Sequence, residues 1–362
     1  MFAREADENA ELQEALQRVV LYKVDAEAKD GGKELAEEYT IKGYPTFVLA
    51  NAGGETASRW WGFDSTSEFL EVFDEAMADP TSIAEKRARF ESQPTEKDAA
   101  ILGDYYLTRG EAAEAVSHFE TALELGSPEK AYEVDLVLAR VIGMEEEVFT
   151  VEDLTAAADR ALASPHISRE QRVNVARWTI GVLADGDDPS AAAPYIQAGL
   201  AATEGQEDED LSKRHQRFLI AEALMVTGDE ALAVKLKRET LAEGWQEDPD
   251  KLNGFAWWCF ENEVNIEEAE VLARQGVALA EDDAEKAQIL DTLAEIVNLR
   301  GNREDAVLLM EQASTLDPDN EHYAEQLSRF TGEELAIADE ELASAGEEMA
   351  VADEEAVAEV TD

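Results

Sequence analysis

The sequence predicts two fold classes in one chain, α/β plus all-α: an incomplete βαββα module followed by an α-solenoid of helical hairpins. Three observations predict this. Short apolar runs flank Tyr44-Pro45-Thr46 within residues 1–78. Helical periodicity takes over at about residue 98 and runs to about 330, with small and large residues recurring at fixed spacings. From residue 331 onward Ala, Glu and Asp dominate and no basic residue occurs.

The opening elements follow in order. Val19-Val20-Leu21-Tyr22-Lys23-Val24-Asp25 reads as a strand, rich in β-branched and aromatic residues. A helix covers Leu35-Ala36-Glu37-Glu38-Tyr39. Ile41 to Leu49 forms a second strand around the proline turn, because an X-Pro bond between strands often marks a cis proline. Gly53-Gly54 makes a turn, Trp60-Trp61-Gly62-Phe63 carries the third strand, and a helix runs from Ser67 to about Met77. Only one of Trp60 and Trp61 can face inward, so the other is a contact for the following domain or a partner.

This order, with its proline turn, resembles the later two-thirds of a thioredoxin-like domain. The resemblance covers residues 1–78. It implies a cis-proline loop that pairs with extended peptides through its backbone, which makes Tyr44, Pro45 and Thr46 candidate peptide-binding residues. The bland alternative is that Pro45 only shapes the turn. The family also carries Cys-x-x-Cys at the start of its first long helix, where a helix N-terminus lowers the thiol pKa. Met1-Phe2-Ala3-Arg4-Glu5-Ala6-Asp7 looks like the middle of that helix, so the position for the cysteines falls before Met1. The sole cysteine is Cys259. Either the motif is lost, or the start is internal to a longer product. On both readings the central strand of the sheet is missing, which leaves residues 19–24 and 46–49 without the neighbour between them.

Residues 79–97 read as a polar linker with one short helix, bounded by Asp79-Pro80 and Gln93-Pro94. Residues 98–330 form the hairpin array. Leu102-Gly103, Tyr106, Gly110, Ala115, Phe119 and Ala122 resemble the tetratricopeptide pattern, in which small residues mark helix contacts and large ones fill beside them. A second copy has Leu293-Ala294, Gly301, Ala306, Met310, Ala313 and Pro318; a third has Leu252, Phe255-Ala256, Cys259, Ala269 and Ala273. With weaker copies between them, hairpins start near residues 96, 131, 172, 214, 249 and 287, and 320–330 caps the array. Residues 331–362 are an acidic tail with no aromatic anchor, expected to be disordered.

Within the array, Trp257 and Phe260 fall on the first helix of a hairpin, at positions that commonly face a concave groove. They are candidate peptide anchors, or else packing residues. Asp104, Asp291, Glu295 and Asn298 occupy first-helix positions too, so the groove is expected to prefer cationic or apolar segments. Cys259 reads as a small core residue. His118, His166, His215 and His322 have no second ligand at helical spacing, and Asp185-Gly186-Asp187-Asp188 and Asp317-Pro318-Asp319-Asn320 lack the calcium-loop spacing. No phosphate loop and no serine nucleophile with a base is evident, so no cofactor, metal or catalytic residue is expected.

The net charge is −53, from 83 acidic and 30 basic residues, with Arg outnumbering Lys. That balance argues against nucleic acid and against anionic membrane surfaces, both of which need a basic face. No apolar run approaches a membrane span and no signal peptide opens the chain, which implies a cytoplasmic protein, or a periplasmic or secreted one if an upstream signal has been lost. Two functions follow: a protein- or peptide-binding scaffold without redox activity, or a thiol–disulfide oxidoreductase whose cysteines lie upstream. The acidity itself suits a high-salt habitat, or simply a soluble acidic surface. On the first view the melting temperature rises strongly from dilute buffer to molar salt as screening relieves self-repulsion, and a flat response discards it.

Overall fold

A computed structural model describes residues 2–26, 31–63, 65–127 and 130–332. The acidic tail, from residue 333 on, lies outside the described residues. The protein is mostly helical, with one two-stranded sheet among the described residues. It divides into two compact units, Met1–Phe218 and Leu219–Asp362.

The first unit opens with α1 (Phe2–Glu8) and α2 (Ala10–Leu16). Asn9 separates them and caps α2, its side-chain oxygen accepting from the Glu11 and Leu12 amides at 3.0 and 3.2 Å. α3 (Gly32–Glu38), β1 (Thr46–Ala50), β2 (Thr56–Trp61) and α4 (Thr66–Ala78) follow. β1 and β2 form an antiparallel hairpin in the register Thr46 with Trp61 and Val48 with Arg59, and a bulge sits between Leu49 and Ala50. One face of this hairpin is sealed by aromatic rings. Phe2 meets Phe47 edge-on at 4.8 Å, Phe47 stacks on Trp60 at 5.6 Å, and Phe69 of α4 touches both.

The first expected strand is absent. Residues 18–26 are irregular backbone, with Val20 98% and Tyr22 79% exposed and Leu21 and Val24 also exposed. The βαββα order therefore reduces to helices, one hairpin and α4. The physical reason is pairing. A strand is held by its neighbours, and β1 bonds only β2, so no ladder reaches residues 19–24 whatever their propensity.

α5 (Ile83–Ser92) occupies the expected linker, with a capping box between Ser82 and Glu85. It is more than a spacer. Lys86 is fully buried and donates to the carbonyl oxygens of Ala57 at 2.9 Å, Asp79 at 2.8 Å and Thr81 at 2.5 Å. Arg59 of β2, 2% exposed, donates to the carbonyls of Tyr39, Thr40 and Thr108, the last two at 2.8 Å. Trp61 packs against the apolar cluster of the first helical hairpin, while Trp60 faces the aromatic cluster.

That hairpin is α6 (Glu96–Leu107) and α7 (Ala112–Leu125). A Cβ on Gly103 would lie 2.6 Å from the Phe119 ring, so only hydrogen fits where the helices touch. Gly110 turns the chain with φ +79°. α8 (Tyr132–Met144) with α9 (Val151–Ala163), and α10 (Arg169–Ala184) with α11 (Ala193–Thr203), continue the pattern. α12 (Glu209–Ala221) contains the boundary between units and runs on into a π-helical turn, Glu222–Thr227, before α13 (Glu230–Glu239). The second unit then holds α14 (Pro249–Glu261), α15 (Ile266–Leu279), α16 (Asp283–Leu299), α17 (Arg303–Leu316) and α18 (Glu321–Thr331). Its core runs through Trp245, Leu252, Phe255, Leu290, Leu293, Met310 and Phe330.

Replacing Lys86 by Met should cost about 2–4 kcal/mol in denaturant unfolding, because three buried carbonyls lose their donor. Stability within about 0.5 kcal/mol of the parent would show that the joint is not bound through Lys86.

Candidate polypeptide-binding surfaces

In the first unit, the end of α3 leads into the proline turn. The Tyr44–Pro45 bond is cis. Pro45 cannot donate, but its carbonyl accepts from the Gly62 amide at 3.0 Å, and the Thr46 hydroxyl donates to the Gly43 carbonyl at 2.5 Å. The loop is thus tied to itself and to the end of β2. Tyr44 is 67% exposed and borders a recess of about 510 Å³ with Lys33, Glu37, Ile41 and Lys42. The edge of β1 that faces away from β2 carries no ladder bonds among the described residues. Tyr44, Pro45 and Thr46 therefore stand together at the head of a half-buried strand whose second edge has no ladder partner among the described residues.

In the second unit, the aromatic pair stands on α14. The Trp257 and Phe260 rings lie 5.1 Å apart. Phe260 packs against the core, whereas Trp257 stands outside it, partly exposed. Asp250, Asn253 and Trp257 share a face of α14 at spacings of three and four residues, and Gln288, Asp291 and Glu295 repeat those spacings on α16. α14 packs on α16. A recess of about 700 Å³ opens here, lined chiefly by carboxylates, with His322 of α18 closing one side. His322 Nε2 lies 3.3 Å from Asp291 Oδ2. Glu295 is ion-paired with Arg329 of α18. Burial pushes the carboxyls of Asp291 and Glu295 above the usual range in spite of these partners.

The other singled-out residues stay structural. Cys259 is fully buried, and burial pushes its thiol up to about 11, so it presents no thiolate near neutrality. His215 Nδ1 meets the Thr203 hydroxyl at 2.9 Å, and His118 stacks on Tyr106 at 5.2 Å. Among the described residues no three metal-ligating side chains converge, and no helix is long and apolar enough to cross a membrane.

Sequence reading places Asp104, Asp291, Glu295 and Asn298 at first-helix positions. It passes over Asp250 and Asn253, and it takes His322 as an isolated histidine, whereas the structure sets His322 Nε2 against Asp291. It also missed Lys86, although Ile83, Lys86 and Phe90 sit at apolar helical spacing. No family model matches this chain, and none of the curated proteins matches it in sequence.

Carboxylates crowd the first-helix face of the first unit as well. Burial, with the charges of Asp135 and Glu75, raises the Asp104 carboxyl well above its usual value. Burial, with Glu133, raises Asp135 to about 7. A carboxyl whose pKa is higher in the folded state binds protons more tightly there. Folding is therefore favoured below the raised value, and the advantage fades as pH climbs through it. Asp79 and Asp98, held low by Arg89 and by local hydroxyls, act oppositely only in acid below the usual carboxylate range. Stability should therefore increase as pH falls from about 8 to about 5, and Asp135→Asn should flatten that slope in pH-resolved thermal melts. An unchanged slope would show that Asp135 titrates normally.

Proposed function

We propose that this chain is a protein- or peptide-binding scaffold: a thioredoxin-like module followed by a tetratricopeptide-like array, without dithiol chemistry of its own. The observation that carries the reading is Trp257. A large aromatic ring that stays partly exposed at the margin of the core, tilted against a core-anchored Phe260, leaves apolar surface in water. Such a ring contributes most when a bound chain covers it.

Support comes from the first unit too. The open edge of β1, headed by Tyr44, Pro45 and Thr46, offers backbone pairing to an extended segment, and the exposed Tyr44 ring offers a side-chain contact. The two surfaces favour clients that are extended and that carry apolar or cationic residues. With Cys259 alone and buried, residues 1–362 cannot cycle a disulfide.

Binding of fluorescently labelled extended peptides with apolar residues, followed by anisotropy, tests the proposal. Trp257→Ala should weaken binding about tenfold or more, and Tyr44→Ala should weaken it by a smaller factor. Parent-like affinity in both variants, or no peptide bound by the parent chain, would remove the scaffold reading.

A further inference from the structure

We propose that Arg177 of α10 and Arg217 of α12 together hold the side-chain carboxylate of an aspartate or glutamate in an extended polypeptide. This rests on the scaffold reading and adds an acidic residue to the apolar and cationic ones that its client carries.

α10 and α12 are joined by one arginine that is well supplied with acceptors. Arg214 Nη1 lies 3.0 Å from Glu170 Oε1 and 3.2 Å from Asn174 Oδ1, both on α10, and its Nε donates to Asp210 Oδ2 on α12 itself at 2.6 Å. Apolar side chains back this join, with Val173 and Ala176 of α10 and Phe218 of α12 buried in one cluster. The next turn of each helix repeats the cation but not the acid. Arg177 follows Asn174 by three residues and Arg217 follows Arg214 by three, so both continue the faces that Arg214 joins. Arg177 and Arg217 are exposed, and neither makes a hydrogen bond or an ion pair among the described residues. The contact that Arg177 does make is with the Trp178 ring, whose centroid lies 6.0 Å from the guanidinium carbon.

In a chain with 83 acidic and 30 basic residues, two neighbouring arginines without an acid are an anomaly. Lys213, one turn before Arg217, shows the ordinary arrangement, with Glu209 of the same helix at 2.6 Å. The like charges act on one another. Partial burial, with the charges of Arg214 and Arg217, lowers the Arg177 pKa against the pull of Glu170. Glu170 is itself engaged by Arg214. Repulsion between adjacent cations costs free energy that an anion set between them recovers. The balance of charge selects the anion. Arg177, Arg214 and Arg217 bring three positive charges against two negative ones on Glu170 and Asp210, which leaves one to be matched. A carboxylate carries one. A phosphate dianion or a nucleic-acid backbone carries more, and a net charge of −53 repels it more strongly. Each guanidinium presents a planar fork of donors that fits carboxylate oxygens, so the two together can grip both oxygens of one group.

The test uses the full chain and twin labelled peptides, blocked at both ends, that carry the same apolar residues and differ only in one glutamate replaced by glutamine. Anisotropy at physiological salt, where the repulsion of remote acids is screened, should show the glutamate peptide binding about fivefold tighter. Arg177→Gln and Arg217→Gln should each remove most of that advantage, whereas Arg160→Gln, which deletes an exposed positive charge from α9, should leave it intact. Both site arginines are exposed and bond no group among the described residues, so thermal melts should show their variants as stable as the parent. Equal binding of the twins, an unchanged advantage in either site variant, or an equal loss in Arg160→Gln overturns the inference and leaves the scaffold reading standing. Failure of both twins to bind overturns the two together.

Discussion

A buried ammonium without a carboxylate in hydrogen-bond contact holds the first unit together. Lys86 sits in α5 with three backbone carbonyls around its nitrogen, from β2 and from the turn that precedes α5, and the nearest acid oxygen, on Asp79, is 3.9 Å away. Burial lowers the Lys86 pKa, yet each donor has its acceptor. Arg59 also gathers carbonyls, from the end of α3 and the end of α6, through its two terminal nitrogens, while its Nε is buried without an acceptor among the described residues. Its pKa falls to about 10 through burial and the nearby Arg109. In a chain where acids outnumber bases so heavily, surface carboxylates are abundant. These two cations are nonetheless used on carbonyls, which fix direction as well as charge. The hairpin of β1 and β2 is therefore seated on the first helical pair, and the open edge of β1 is presented by a rigid support.

Much of the helical part was legible because it obeys local rules. Gly103 and Phe119, on either side of the turn at Gly110, announce a contact between two helices, and the structure puts the ring against the glycine. The proline turn was legible for the same reason, since Pro45 constrains its own neighbours. Residues 19–24 were misread because propensity is only half of a strand. The other half is a partner, and no periodicity in the segment itself says whether one exists. Lys86 was overlooked because a charged residue at an apolar spacing reads as an exception rather than as an anchor. The recess was half legible: the identity of Asp291 and its place on a first helix were visible, but the unpaired state of Oδ1 depends on what α14 and α18 bring, and that is tertiary information.

The two units share an electrostatic habit. Asp104 and Asp135 in the first, and Asp291 and Glu295 in the second, are carboxyls on first helices whose burial raises their pKa. Keeping ionisable acids partly out of water, with few cations opposite, works against folding near neutrality. A cation brought close would favour the ionised form of each of these carboxyls and lower that cost. The scaffold reading gives that cost a purpose.

The rim of β1 that is unpaired among the described residues, and the bare residues 20–24, also bear on colloidal behaviour. A naked strand border invites a second molecule to zip onto it and begin a self-templating stack. What keeps molecules of this protein apart is their mutual Coulomb repulsion, which is large at a charge of −53 and which dissolved ions screen. The ions that relieve strain inside one molecule therefore also lower the barrier between molecules. Any strand that paired along that rim would remove the template.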